Sequence, residues 1–230
     1  ITIGGTVKGA GMIEPNMATM LAFLTTDASV SSSYLKECLA EAVQKSFNLM
    51  TIDGDMSTND SVLFLANGFS RISLENEPES IRSEFKEAVV QICKTLARKC
   101  VTDGEKVTKF VDLRIDRAAN EKDAEKVARC VANSLLVKTS WFGSDPNWGR
   151  LVDAAGYAKV GLNFEEMDIF YNEVPAVENG TPLPMNKSKW KEIVSQKSFV
   201  ITMNLHMGNA SSMIWSNDLS EEYVNYNKSE

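Results

Sequence analysis

A chain of 230 residues with 43% hydrophobic and 24% charged content can bury a full core without disulfide or metal staples, and is too apolar to stay disordered. Lys and Arg number 24 against 31 Asp and Glu, a net charge of −7, which argues against nucleic-acid or anionic-membrane binding because both require a basic face. No apolar run approaches the ~18 residues of a membrane span, and the single histidine excludes a His-rich metal site and routes any Ser-His or Cys-His scheme through His206.

The length allows one large domain or two small ones. Ile1–Gly11 is apolar and Gly-rich and lacks an initiator Met, so it reads as a processing boundary with any targeting peptide upstream. Met17–Thr26 is a strand candidate ended by the polar turn Asp27–Ser33. Leu35, Cys38, Leu39, Ala42 and Val43 recur at helical spacing, with Lys36, Glu37 and Glu41 on the opposite face. A second helix is predicted from about Pro78 to Cys100, its stripe formed by Ile81, Phe85, Ala88, Val89, Ile92, Cys93 and Leu96. A third starts near Asn120, where Asp123 completes a capping-box-like pair, and carries Val127, Ala128, Val131 and Leu135. Ser61–Ala66, Val107–Ile115, Met167–Tyr171, Phe199–His206 and Ser211–Trp215 read as strands. The turn-rich run Asn179–Pro184 marks a loop or a boundary between sub-regions. Cys38, Cys93 and Cys130 fall on helical apolar stripes and no Cys-x-x-Cys occurs, which points to buried structural thiols in a reducing compartment. Strands interspersed with two-faced helices suggest sheets covered by helices, an α+β or layered α/β sandwich.

Three stretches stand out chemically. In KGAGMIEPNMATMLAFLTTDA, Lys8–Ala28, glycines allow close backbone approach and Pro15-Asn16 signals a turn before an apolar strand. A hydroxyl reached through such a turn, that of Thr19, can attack the Ala18 carbonyl and rearrange the peptide to an ester. Hydrolysis then frees Thr19, whose α-amine, with a reference pKa of about 7.7–8.0, deprotonates its own hydroxyl without histidine. On pattern alone, a plain β-branched strand residue is the simpler reading of Thr19, and the glycines match neither nucleotide fingerprint. In Thr51–Asp60, residues Asp53, Asp55, Ser57 and Asp60 offer hard-cation ligands, but the calcium-loop spacing fails at Thr58 and Phe64. Asp53 and Asp55 also fit an aspartyl-phosphate phosphatase that uses magnesium; the plainer reading is an Asx-rich turn. In GSDPNWGR, Asp145-Pro146-Asn147 starts a turn, Trp148 is an anchor and Arg150 offers a fork to a carboxylate. His206 lies among apolar strand residues and reads as structural.

KGAGMIEPNMATMLAFLTTDA, SFNLMTIDGDMSTND, DPNWGR and WSNDLSEEYVNYN, in this order, resemble the ornithine acetyltransferase (glutamate N-acetyltransferase) family of arginine biosynthesis across essentially the whole chain. The resemblance implies an α+β fold, a layered αββα sandwich of the self-cleaving Thr-nucleophile type. It implies cleavage between Ala18 and Thr19 of Ala18-Thr19-Met20-Leu21, which divides the chain into 1–18, the end of an alpha segment, and 19–230, the beta chain. Thr19 then carries acetyl from N-acetylornithine to glutamate by a ping-pong route; acetyl-CoA serves some members as a donor, and neither a cofactor nor a metal is implied. Lys8 of the Lys-Gly motif, Glu105 of Asp103-Gly104-Glu105 and Asn227 match the family's substrate-binding residues. An alpha chain from a preceding segment would supply the oxyanion hole, in a heterotetramer of two alpha and two beta chains located in the cytoplasm or an organellar matrix. The sequence departs from the family pattern at Lys106-Val107, where small residues usually follow the Glu; this sets a cation beside Glu105. A magnesium phosphatase on Asp53 and Asp55, or an inactive uncut homologue, is the alternative.

Overall fold

The computed structural model describes residues 1–14 and 20–228, which divide into two compact units, Ile1–Cys100 and Val101–Glu230. The run Asn179–Pro184 lies inside the second unit.

The first unit is built on a three-stranded sheet of β1 (Ile3–Lys8), β2 (Leu21–Thr26) and β3 (Ser61–Ala66), in the order β1-β2-β3. β1 and β2 are antiparallel, whereas β2 and β3 are parallel. A parallel pair needs a crossover, and α1 (Ser32–Gln44) supplies it. Ser31 caps that helix by accepting the Tyr34 amide. The long helix α2 (Glu79–Thr102) follows, with the Pro78 carbonyl receiving the Ile81 and Arg82 amides. Pleating turns Ala22, Leu24 and Thr26 to the buried face. Phe85 of α2 stacks on Phe64 of β3, with ring centroids 6.3 Å apart. The strand expected over Met17–Thr26 starts at Leu21, and its first three residues lie outside the described ones. Cys38, Cys93 and Cys100 are buried thiols outside any disulfide, and burial pushes the Cys93 thiol up to about 11.

The Thr51–Asp60 loop ties this unit together through its carboxylates. Asp53 accepts the Met12 amide at 2.6 Å and the Ile13 amide at 3.0 Å, while the Ile52 amide donates back to the Ile13 carbonyl. Asp60 accepts the Met20 amide at 2.5 Å. One loop therefore grips the backbone on both sides of residues 14–19. Gly9 lies in this neighbourhood at φ 154°, where a Cβ would come 3.4 Å from the Met20 Cα, so its lack of a side chain permits the approach.

The second unit carries a six-stranded sheet. Its strands are β4 (Phe110–Ala118), β5 (Asp168–Tyr171), β6 (Val174–Glu178), β7 (Thr181–Pro182), β8 (Ser198–Asn204) and β9 (Ala210–Asn217), ordered β7-β6-β5-β8-β4-β9. Only the β4–β8 pair is parallel. Leu113, Ile201 and Tyr171 form one row across β4, β8 and β5, and Ile115, Met203 and Ile169 form the next. All six are fully or almost fully buried, each burial stabilising by roughly 1.5–3 kcal/mol. The helices of this unit are α3 (Glu121–Ala132), α4 (Leu135–Phe142), α5 (Trp148–Gly156), α6 (Lys187–Val194) and α7 (Glu221–Tyr226). Ala124, Val127, Ala128 and Val131 of α3, Trp141 of α4 and Trp190 of α6 close the core over the sheet. The chain thus has the expected α+β character: each unit is one sheet with packed helices. Among the described residues, no helix is long and apolar enough to cross a membrane.

Some expected elements shift. Leu135 is not on the α3 stripe: α3 stops at Ala132, Ser134 caps a new helix, and Leu135 is 67% exposed. Cys130 is half-buried rather than buried. The turn Asn179-Gly180 joins β6 to β7, both residues at positive φ (45° and 67°), the pairing a type I′ hairpin turn requires.

Two substitutions test this framework. Gly180→Ala brings a Cβ within 2.6 Å of the Glu165 backbone at a positive φ and should cost about 1–3 kcal/mol; an unchanged urea midpoint would contradict that packing. Asp53→Ala strips the Met12, Ile13 and Asp55 amides of their acceptor and should cost about 1–3 kcal/mol with or without magnesium, whereas Asp55→Ala, at an exposed position, should stay within about 0.5 kcal/mol.

Candidate functional site

The site residues read from the sequence fall in both units. In the first, Lys8 is the last residue of β1 and its side chain is exposed. Lys8 pairs with Leu21, and Leu21 pairs with Ser61, so the strand ends carrying Lys8, Met20-Leu21 and Asp60-Ser61 line up side by side. Ala18 and Thr19 lie outside the described residues.

Asp60 carries more of the local structure than its place in an Asx-rich turn suggests. It was a candidate cation ligand; in the structure one carboxylate oxygen accepts the Met20 amide. The other, Oδ2, is buried and has no partner among the described residues. Burial raises the Asp60 carboxyl above the ordinary aspartate value, against the opposing pull of the Met20 amide and of the Lys8 charge. Met20, Asp60, Ser61 and Val62 line a cavity of about 420 Å³ together with α1 residues, among them Lys36 and Gln44. The sequence signal was present: a carboxylate closing a polar loop immediately before a strand, one strand away from the Ala-Thr motif.

The carboxylates of this loop serve the backbone. Asp53 is engaged by two backbone amides, and its Oδ1 also takes the Asp55 amide at 3.3 Å. The described residues contain no group of three or more His, Cys, Asp or Glu suited to a metal ion. Asp53 and Asp55 therefore form an Asx-rich turn, which is the plainer reading of this loop.

In the second unit, Glu105 and Asn227 meet although 122 residues separate them: the Asn227 side-chain amide donates to Glu105 Oε2 at 3.4 Å and to the Tyr223 carbonyl at 2.9 Å. Glu105 sits half-buried in the turn after α2, and Asn227 is the C-cap of α7. The WSND run holds this contact in place. Asp218 accepts the Thr108 and Lys109 amides, both at 2.9 Å, and the Thr108 hydroxyl. Ser220 caps α7 through the Tyr223 amide and donates its hydroxyl to the Lys106 carbonyl at 2.8 Å. Beneath it, the buried Lys138 ammonium donates to Ser216 and to two oxygens of Asn217. Lys106 stands at φ 54°, with its ammonium 5.2 Å from the Tyr226 ring centre.

The remaining motif residues are structural. Asn147 caps α5 by accepting the Arg150 amide, and Arg150 directs its guanidinium to the Leu136 carbonyl at 2.7 Å, not to a carboxylate. His206 shares a 2.6 Å hydrogen bond between Nε2 and Asp168, whose other oxygen accepts the Asn179 amide. That contact pins the β8–β9 turn to the β5–β6 region, in line with its structural reading.

Residues 1–229 match the model of the ArgJ family. The chain is 40% identical over 227 residues to the arginine biosynthesis bifunctional protein ArgJ of Staphylococcus epidermidis, covering 99% of this chain and 57% of that protein. It is 42% identical over 237 residues to the glutamate N-acetyltransferase of Methanocaldococcus jannaschii, covering 99% and 58%. The crystal structure of the arginine biosynthesis bifunctional protein argJ from Bacillus halodurans resembles this fold with a TM-score of 0.84 at 33% identity, covering 90% of this chain and 98% of that one. The chain thus spans a little over half the length of the curated relatives it matches. With four motifs in family order and this likeness in both sequence and fold, the chain belongs to the ArgJ family.

Proposed function

We propose that this chain is the catalytic portion of a self-processing N-terminal-threonine acyltransferase that moves acetyl from N-acetylornithine to glutamate in arginine biosynthesis. The carrying observation is the anchored setting around the Ala18-Thr19-Met20-Leu21 motif. Lys8 pairs with Leu21, two residues after Thr19, and the intervening Met20 amide is held by Asp60.

In this reading Thr19 Oγ attacks the Ala18 carbonyl, and hydrolysis of the resulting ester separates 1–18 from 19–230. The freed α-amine takes the Thr19 hydroxyl proton, and Oγ attacks the acetyl carbonyl of N-acetylornithine. The C–N bond breaks, the proton passes to the departing ornithine nitrogen, and the acetyl group stays on Oγ as an ester. Glutamate's amine then attacks that ester and leaves as N-acetylglutamate, which makes the cycle ping-pong; acetyl-CoA can load the same threonine. Lys8 pairs with a substrate carboxylate, while Glu105 and Asn227 hold its polar groups, each charged contact stabilising by about 1.5–3 kcal/mol. The further length of the relatives corresponds to an alpha chain that provides the oxyanion hole, a contribution of about 10²–10³ in rate, in a heterotetramer of two alpha and two beta chains. A cytoplasmic or organellar-matrix setting suits the free thiols.

Intact mass and N-terminal sequencing of the protein expressed from its full reading frame should show a fragment starting at Thr19. Thr19→Ala should abolish both cleavage and transfer, and Thr19→Ser should retain part of each; full turnover by the Ala variant would sink the mechanism. Glu105→Ala should raise the amino-acid KM about tenfold or more while cleavage proceeds normally.

A further inference from the structure

Among the described residues, β3 pairs with β2 alone and so forms an edge of the three-stranded sheet. Its hydrogen bonds tell which backbone groups face outward. The Ser61 amide donates to the Met20 carbonyl, and the Asn67 amide donates to the Thr26 carbonyl. Successive residues of a strand turn their N–H and C=O groups to opposite sides. Ser61, Leu63, Leu65 and Asn67 therefore address β2, while Val62, Phe64 and Ala66 present their backbone groups to the open edge.

An exposed apolar edge invites another strand, and folded proteins blunt such edges with lysine, proline or a bulge. The β3 sequence, SVLFLA, has no charged residue and no proline, and its register with β2 runs without a bulge from Ser61 to Ala66. One face of the strand is open as well. Leu63 and Leu65 are 48% and 57% exposed, and Phe23, the register partner of Leu63, is 39% exposed. On the other face, Val62 joins Leu39, Val43 and Phe47 around the cavity of about 420 Å³. Apolar side chains thus flank β3 on both faces, the setting of a strand inside a sheet that is covered on both sides.

The chain covers 57% and 58% of two curated relatives, so about two-fifths of each lies outside it. Edge-to-edge pairing with a second copy would set two exposed Leu63–Leu65 faces side by side and cover neither. A further chain of that length can both pair with the edge and cover the face.

We propose that β3 is an interior strand of the assembled protein: a strand of the alpha chain pairs with its open edge, bonds to the backbone of Val62, Phe64 and Ala66, and lays apolar side chains beside Leu63 and Leu65. Backbone pairing supplies the affinity, and the apolar flanks select a strand that is apolar on both faces. The inference rests on the reading of the relatives' further length as an alpha chain.

The test uses the protein expressed from its full reading frame. With photoreactive p-benzoylphenylalanine in place of Leu65, irradiation should join that position to a peptide of the alpha chain, identified by mass spectrometry. Residue-resolved amide exchange on the wild type should show Phe64 protected as strongly as Leu63 and Leu65, about 10²-fold or more beyond an open edge. Crosslinks solely to a second copy of this chain, or a Phe64 amide that exchanges freely between protected neighbours, would overturn the proposal. The exchange measurement decides the matter even where the photoreactive variant folds poorly. A reading frame that yields no further associated segment would instead overturn the alpha-chain reading, and this inference with it.

Discussion

The first unit depends on one loop, Thr51–Asp60, two of whose carboxylates hold backbone amides that precede and follow the Ala-Thr motif in the chain. Asp53 fixes Met12 and Ile13, and Asp60 fixes Met20. A carboxylate accepting amide hydrogens is a stronger acceptor than a neutral group, and three such bonds tie Met12, Ile13 and Met20 to the same loop. The Asx-rich composition that resembles a metal site serves this backbone role, so its negative charge is spent on amide donors.

The second unit solves a related problem across a long stretch of sequence. Glu105 follows α2 and Asn227 ends α7, and neither short segment is fixed by its own helix alone. Asp218 and Ser220 bind the backbone of residues 106–109, and the buried Lys138 ammonium anchors the Ser216-Asn217 segment just before them. Burying an ammonium is tolerable only when its donors are satisfied, and here three oxygens meet them. The WSND run is thus a latch that brings the chain's end to the turn bearing Glu105.

Much of the fold was legible because its main elements carry strong periodicity. The α3 start, the α1 and α2 stripes and β3 all follow from spacing and caps, while α1 begins at Ser32, inside the expected turn. The elements that escaped lack such signals. α4, LLVKTSWF, has apolar residues on every side and two exposed leucines; α6 is one short lysine-rich segment; β6 and β7 each contain a proline. The strand expected from Val107 begins three residues later because Thr108 and Lys109 give their amides to Asp218 instead of to a neighbouring strand. Thr19 was legible as an unusual residue only through the family motif, since a β-branched residue entering a strand is ordinary by itself. The pairing of Glu105 with Asn227 was beyond local reading, since no periodic pattern links positions so far apart.

Lys106 shows how a strained backbone position is held in place by its neighbours. A positive φ suits glycine and strains a lysine. The strain is offset where the side chain and carbonyl find partners: the ammonium lies over the Tyr226 ring, and the carbonyl accepts the Ser220 hydroxyl. Exposed cation–π contacts contribute about 0.5–1 kcal/mol, comparable to the backbone preference lost. Both partners belong to α7 or its cap, the helix that carries Asn227. The structure records no ion pair between Lys106 and Glu105 among the described residues, so the added cation strengthens the latch, while the Glu105 carboxylate keeps Asn227 as its neighbour. Lys106 thus acts on the Glu105–Asn227 contact only through the helix that ends at Asn227.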